Sequence, residues 1–518
     1  MPALRKLWDE KPLILILFSA AFFRLLAVFF SKGYGMHDDH FLVIEAAQSW
    51  VDGQDYNDWL PTITKTVTEP TGHSLLYPGA HYLLFHFLQF LGIHDPQGKM
   101  IVVRFLHAAW SMLIVYFGFR IAEKSAGLKA ARMAGLLLAV LFFMPMMSVR
   151  NLVEFVCIPP LMYATWLIWK QQGNVKSKYV FFAGMLLGLA CSIRFQTIFF
   201  SAGFGLTFLL QKKIKEAILV AAGFFACLFL LQAITDMIVW HKPFMELTQY
   251  IRYNLDNAET YGTQKWYNYI LLVSGILVPP FSVFMFWGYL RSWRKYLLLF
   301  LPAFVFFVFH SSFPNKQERF ILPFIPFFIT LGCIGWEEFR SKSIFWNSHH
   351  SLYRSCWIFF FSINTIPLFF ISCAYSHRNR VESMVYLSGK NDFRNFIVEE
   401  SMSEDYTMPP QYYLGHWVKH LYVTKIITGD SLVERLEHFP ENLQPNYVVF
   451  NRPENIGQRI LNMKKYYPSL TYETTIEPGL VDVVMHRLNK HNANFTSYIY
   501  RVNELHPVAA GRSKDLSQ

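Results

Sequence analysis

Charge is what this sequence has least of. Only 16% of its 518 residues are Asp, Glu, Lys or Arg, where a soluble domain carries roughly 25%. Together with a surplus of Phe, 51 copies, that deficit excludes a soluble enzyme, a disordered chain and a fibrous one. Cysteine is scarce too: Cys157, Cys191, Cys227, Cys333, Cys356 and Cys373 fall within or beside apolar runs, and none forms a C-x-x-C pair. They read as small packing residues rather than disulfides or metal ligands. The phosphate loop, the dinucleotide fingerprint, H-E-x-x-H and G-x-S-x-G are all missing. So are the internal repeats of transporters.

What is present is apolar surface. Hydrophobic residues make up 53% of the chain and aromatics 18%. Apolar runs near 20 residues long recur from residue 12 to about 375, the length a helix needs to cross a bilayer. This is the pattern of an all-α polytopic membrane protein. The first run, 12–31, follows basic residues, exceeds a signal-peptide core and lacks a small-residue cleavage site, so it reads as a retained helix.

A net charge of +11 then becomes a question of where the positives sit, rather than a sign of nucleic acid binding. Eleven membrane helices are expected, near 12–31, 101–122, 132–148, 152–169, 179–193, 196–210, 216–239, 269–290, 296–310, 319–336 and 356–375. Alternate connections carry the cations: Arg5/Lys6/Lys11, Lys124/Lys129/Arg132, Lys170/Lys176/Lys178, Lys212/Lys213/Lys215, Arg291/Arg294/Lys295 and Arg340/Lys342/Arg354. The 32–100 loop is acidic, with Asp38, Asp39, Glu45, Asp52, Asp55, Asp58, Glu69 and Asp95. The positive-inside rule puts the N-terminus in the cytoplasm and, after an odd number of crossings, the C-terminal segment outside. A helix break at Arg194 keeps that alternation in phase.

The expected organisation is a transmembrane body over 1–380, with 32–100 as a large first extracytoplasmic loop. A small extracytoplasmic α/β domain is expected over 381–502 and a disordered tail over 503–518. Within the loop, 74–91 is amphipathic and suits the membrane surface. In the outer domain 392–401 reads as helix, and 422–427, 447–450 and 480–485 read as strands. Asn494 opens a glycosylation sequon of little specificity.

Three polar groups could carry chemistry. Asp38 and Asp39, just beyond the first helix with Glu45 close behind, are adjacent carboxylates; if desolvated, one can serve as a general base. Solvated loop acids are the bland alternative. His310, Asn315, Lys316, Glu318 and Arg319 form a second cluster, whose cations suit a lipid phosphate or simply snorkel to the headgroups. Arg24, Arg150, Asn151, Glu154 and Arg194 are ionisable or polar groups at membrane depth, and each requires a partner or a wet cavity. An Arg150–Glu154 ion pair is one solution.

These segments resemble a known family. Met36-His37-Asp38-Asp39-His40-Phe41, with Glu45, is similar to an early His-Pro-Asp-Glu signature, and His73-Ser74-Leu75-Leu76-Tyr77-Pro78 to an Arg-Ser-x-x-Tyr-Pro element. Tyr261-Gly262-Thr263-Gln264-Lys265-Trp266-Tyr267-Asn268-Tyr269 resembles Tyr-Gly-Thr-x-x-Trp-x-Tyr, and Asn315-Lys316-Gln317-Glu318-Arg319-Phe320 resembles His-Lys-Glu-x-Arg-Phe. In this order, over about 12–340, they resemble glycosyltransferase family 22, the dolichol- or polyprenyl-phosphate-mannose-dependent mannosyltransferases of glycolipid-anchor and N-glycan-precursor synthesis, as a distant or prokaryotic member. Asn315, Gln317, His37, Asp39 and His73 depart from the family's residues.

The resemblance implies a GT-C fold with its active site at the outer or lumenal membrane face. It also implies inverting transfer of mannose from a dolichol- or undecaprenyl-type phosphate donor to a lipid-linked glycan. It assigns Asp38 as general base with Asp39 in support, and Lys316, Arg319, Arg194 and His73 to the departing phosphate. Glu45, Tyr77, Tyr261, Trp266, His310, Asn315 and Glu318 become substrate-binding candidates. No metal site and no cofactor is expected, nor any nucleic-acid partner. The location is the cytoplasmic membrane in a prokaryote and the endoplasmic reticulum membrane in a eukaryote. Another polyprenyl-phosphate sugar, a transporter or flippase, and a non-catalytic assembly partner are the competing readings.

Overall fold

A computed structural model describes residues 2–64, 67–171, 175–260, 262–437, 439–489 and 495–503. Tyr261, Asn494 and, beyond residue 503, the expected tail lie outside the described residues. The chain divides into two units: one of Met1–Phe30, Gly53–Phe87 and Ile101–Cys373, the other of Ser31–Asp52, Leu88–Met100 and Ala374–Gln518.

The first unit is helical. Among the described residues, the helices long and apolar enough to cross a membrane are Pro12–Phe30, Pro96–Val140, Ile214–Trp240 and His350–Ser372; shorter apolar helices lie between them. A helix satisfies its own backbone, which lipid requires. The tightest contact uses glycine: a Cβ on Gly288 would stand 2.0 Å from the Gly332 carbonyl oxygen, and one on Gly335 2.0 Å from that of Gly288. The helices Phe281–Arg291 and Phe324–Lys342 therefore meet backbone to backbone. Arg24, 1% exposed, has the partners its depth requires. Its guanidinium donates to Ser111 Oγ (2.8 Å) and to the carbonyls of Ala20, Ala139 and Leu138.

Two expected helices run differently, and the expected break at Arg194 is present. The run 269–290 is two helices, Asn268–Leu277 and Phe281–Arg291, because Pro279 and Pro280 offer no N–H and Pro279 disfavours helix at the residue before it. The last but one begins at Phe324, after Pro323, so Arg319 sits in a short 3₁₀ turn, Glu318–Ile321. The helix Ser177–Ile193 stops where Arg194 turns extended (φ −141°, ψ 104°), and a new helix starts at Ile198.

The second unit holds a five-stranded sheet, ordered β2-β1-β3-β5-β4, with β1 Phe396–Glu400, β2 Leu421–Thr424, β3 Tyr447–Asn451, β4 Thr471–Ile476 and β5 Ser497–Arg501. β2, β1 and β3 are parallel, and β5 pairs antiparallel with β3 and β4. Two expectations are reversed here. Residues 396–400, read as helix, form the buried strand β1, whose Phe-Ile-Val run pairs on both edges. Residues 480–485, read as strand, lie in the helix Leu480–Leu488. Short apolar runs look alike in either state, and tertiary pairing decides.

The acidic segment belongs to this unit. Gly33 bridges Ser376, Ser376 N–H donates to Lys32 O (3.1 Å), and Ser31 Oγ donates to Ala374 O. A short helix His37–His40, a π-helical turn Phe41–Glu45 and the helix Ala46–Val51 follow.

Gly33 and Gly53 both have positive φ, 73° and 71°; a Cβ would meet Ser376 O at 1.9 Å at Gly33 and nothing at Gly53. Gly33→Ala is therefore expected to cost about 2 kcal/mol or more, and to lower Tm in detergent further than Gly53→Ala, which shares only the backbone strain. Equal falls would show that the bridge to Ser376 contributes nothing.

Candidate active site

In the second unit, the acidic segment is held from several directions. Asp39, 3% exposed, accepts N–H bonds on both carboxylate oxygens, from Gly35 (3.0 Å) and Met36 (2.8 Å). Asp38, one residue earlier on the same turn, is half-buried. Glu45 is fully buried; one of its oxygens meets His40 Nε2 at 3.0 Å and the Tyr412 N–H at 3.0 Å. Burial raises its pKa, against the pull of His40 and the Tyr412 N–H. The His40 ring stacks between Tyr34 (4.6 Å) and Tyr413 (5.4 Å), and Tyr34 stacks on His377 (4.3 Å). Glu45 thus braces the turn bearing Asp38 and Asp39.

In the first unit, the helix break at Arg194 and the 3₁₀ turn at Arg319 bring two guanidiniums to one carboxylate. Glu154 Oε1 lies 3.2 Å from Arg194 and 3.6 Å from Arg319. Glu154 is 1% exposed. Gln196 links outward, accepting from Arg194 (3.0 Å) and lying 3.2 Å from His310 Nε2. Beside this cluster opens a cavity of about 540 Å³, walled by Phe199, Leu247, Ile251, Phe309, Phe313 and Phe320, with Gln196, Tyr250, Asn254, His310 and Asn315 as its polar members. Asn315 Oδ1 is buried with no hydrogen-bond partner among the described residues. The two arginines reach the cavity wall through Gln196, which accepts from Arg194, and through Phe320, over whose ring both guanidiniums lie; an apolar chamber with cations just behind its wall suits an amphiphilic anion.

Two segments far apart in sequence also meet here. Thr263 and Asn315 form an antiparallel bridge, and Lys316 N–H donates to Gly262 O (3.2 Å). The Lys316 amine donates to the carbonyls of Gln264 (3.1 Å) and Phe313, and burial lowers its pKa. Its geometry pins the two loops together.

The remaining candidates are placed variously. His73 stacks on Trp59 at 5.7 Å. Tyr77, 6% exposed, has its hydroxyl 2.7 Å from His107 Nε2. Trp266 is 64% exposed, and Glu318 is exposed. The sequence reading offered Arg150 as the partner of Glu154, where the structure has Arg194 and Arg319 beside it, and passed over Gln196 and Tyr250. It also missed a second buried acid pair. Asp236 accepts from Glu246 N–H (3.2 Å) and Gln232 (2.8 Å), while Glu246 accepts from Gly72 N–H (3.1 Å) and Trp240 Nε1 (3.1 Å). This network fastens the loop before His73 to the end of the helix Ile214–Trp240. The only sequence signal was two acids ten residues apart in a largely apolar stretch.

A family model described as the Alg9-like mannosyltransferase family matches residues 14–413. No curated protein matches the chain. Among solved structures, ArnT from Cupriavidus metallidurans bound to undecaprenyl phosphate is similar over 95% of this chain and 98% of that one, with TM-score 0.55 and 11% identity. The oligosaccharyltransferase of Archaeoglobus fulgidus, tethered with an acceptor peptide containing the NVT sequon, is similar over 90% of this chain and 74% of that one, with TM-score 0.55 and 13% identity. At such identities the likeness shows the fold, the GT-C type.

The Glu246 carboxyl is pushed up to about 8 from its ordinary 4.5, by burial first and then by Asp236. The folded chain holds this proton where an unfolded one has released it. Its contribution to stability is therefore full below the unfolded value of 4.5 and is lost as pH rises through about 8. Between about pH 5 and pH 9, Tm is expected to fall with a shallower slope in Glu246→Gln than in wild type. Identical slopes would remove Glu246 as the group responsible.

Proposed function

The chain belongs to the Alg9-like mannosyltransferase family, and from that premise we propose that it moves a mannosyl residue from a polyprenyl-phosphate donor to a lipid-linked glycan. Asp38 takes the proton of the acceptor hydroxyl as that oxygen attacks the anomeric carbon. The bond from that carbon to the phosphate oxygen breaks, its electron pair leaves with the lipid phosphate, and a single displacement inverts the configuration. Arg194 and Arg319 counter the charge that develops on the departing phosphate. The apolar cavity beside them receives the first isoprene units of the donor. In this reading the chain crosses the membrane eleven times, with its N-terminus in the cytoplasm and residues after 380 outside.

The observation that carries the reading is the pairing of Arg194 and Arg319 around the single carboxylate of Glu154, just behind Gln196 and Phe320 in the wall of an apolar chamber. A phosphate needs fixed donors, and a polyprenyl tail needs a dry wall. Asp39, with both oxygens engaged by backbone N–H groups, fits the supporting role that holds the turn of Asp38 in place. Lys316 serves by ordering the loops through backbone carbonyls.

The test is transfer of labelled mannose from synthetic polyprenyl-phosphate mannose by purified protein. Asp38→Asn is expected to lower kcat by roughly 10²-fold or more at equal Tm. Arg319→Gln is expected to raise the donor KM about tenfold, the loss of one charge-assisted contact. Full turnover by Asp38→Asn would remove the base assignment. Transfer from another polyprenyl-phosphate sugar alone would replace mannose as the donor sugar, and no transfer from any such donor would overturn the reading.

A further inference from the structure

The second unit contains a smaller cavity of a different character. It measures about 130 Å³ and is walled by Gln48, Asp52, Gln89, Lys99, Gln411 and Trp417, among others. Its wall is a connected polar network. Lys99 donates to Gln48 Oε1 (2.8 Å), and Gln48 Nε2 donates to Asp52 Oδ1 (3.0 Å). The Trp417 indole N–H donates to the other Asp52 oxygen (2.9 Å). Gln411, 1% exposed, is fixed by the Val418 N–H on its oxygen (2.7 Å) and by His420 Nδ1 at 3.0 Å from its nitrogen. Gln89 brings a buried carbonyl oxygen with no hydrogen-bond partner among the described residues. A rigid polar hollow with an unused acceptor and an indole at its side is built to hold something.

We propose that this cavity is a carbohydrate subsite that takes one neutral pyranose ring of the acceptor glycan. Its role in transfer rests on the mannosyltransferase reading, whereas its binding chemistry stands on the cavity alone. One carboxylate and one ammonium line it, Asp52 and Lys99, so the wall selects for a neutral ligand: an anion would meet Asp52 and a cation would meet Lys99. Neighbouring hydroxyls of a sugar both donate and accept. Asp52 and the Gln89 oxygen accept, and Lys99 and the side-chain amides donate. The Trp417 indole adds apolar surface to the wall while its N–H is satisfied by Asp52. Drug-sized ligands need roughly 300 Å³ or more, so a cavity of about 130 Å³ excludes a polyprenyl tail and suits a single ring.

Position supports the role. The helix Ala46–Val51 continues directly from the turn that carries Asp38, Asp39 and Glu45, and Asp52 caps its far end. The short helix Gln411–Leu414 closes the same connection from the other side, because Tyr412 N–H donates to Glu45 (3.0 Å) while Gln411 and Tyr412 wall the cavity. A sugar held here is registered, through both elements, against the segment that bears the proposed base.

The test titrates the full chain in detergent with an α-linked mannobiose, read by saturation-transfer NMR, in wild type, Trp417→Phe, Gln89→Leu and Asp38→Asn. Saturable binding is expected in wild type and in Asp38→Asn, and about tenfold weaker binding in each of the other two. In the transfer assay those two are expected to raise the acceptor KM about tenfold without a matching rise in the donor KM. Because Asp38→Asn separates binding from turnover, sugar binding without transfer would sink the enzyme reading and leave the subsite. Absence of binding by wild type, binding unchanged in both cavity variants, or displacement of the sugar by inorganic phosphate would each overturn the subsite.

Discussion

A charge removed from water must find its partner inside the protein, and in this chain that constraint shapes both units. Glu154, 1% exposed, would be prohibitive alone in an apolar body; within reach of Arg194 and Arg319 it becomes tolerable. The arrangement also explains local backbone geometry. A continuous helix through residues 193–198 would carry Arg194 on a helical face, whereas the extended residue and 3₁₀ turn found there turn its guanidinium to the carboxylate. Pro323 has a parallel effect on the other side, since it delays the helix to Phe324 and leaves Arg319 in a turn.

The same constraint governs the acidic segment. Glu45 is buried against His40 and the Tyr412 N–H, and that contact closes a loop of 367 residues. Stacked rings on His40 restrict its rotamers, and the π-helical turn Phe41–Glu45 carries the Glu45 carboxylate to its partners. Such turns occur often at functional sites. The result is a stiff mount under Asp38, which the proposed role of general base requires, because misplacement of about 1 Å can cost a large factor in rate.

Much of the helical body was legible because lipid imposes a length and a composition that soluble cores do not. The break at Arg194 was legible from the alternation of Lys and Arg alone. The split at Pro279-Pro280 was written in the sequence but overridden by the long apolar run around it. In the second unit, Phe396–Glu400 and Leu480–Leu488 were misread because neither is long enough to show a period. Least legible was the kinship of residues 31–52 with residues after 374. Glu45 meets Tyr412, and Asp52 meets Trp417 across 365 positions. No local pattern encodes such pairings; they depend on how the chain returns to itself.

The departures at residues 315 and 317 gain a meaning from the geometry. Where the family pattern has Glu, Gln317 accepts from Arg319 Nε at 2.8 Å, so the hydrogen bond that orients the guanidinium is kept without the charge. A Glu at this position would add a second carboxylate beside the two arginines and balance them one to one. With Gln317, the two guanidiniums outnumber Glu154 between them, and the local field favours an incoming anion. Where the pattern has His, Asn315 places an amide oxygen, buried and without a hydrogen-bond partner among the described residues, at the cavity wall. An acceptor left unmet in a dry site has a cost that a donor on a ligand removes. In the proposed mechanism the two substitutions act together, Gln317 leaving the arginine pair in net positive charge and Asn315 adding a hydrogen-bond acceptor at the cavity wall, while both early carboxylates are retained.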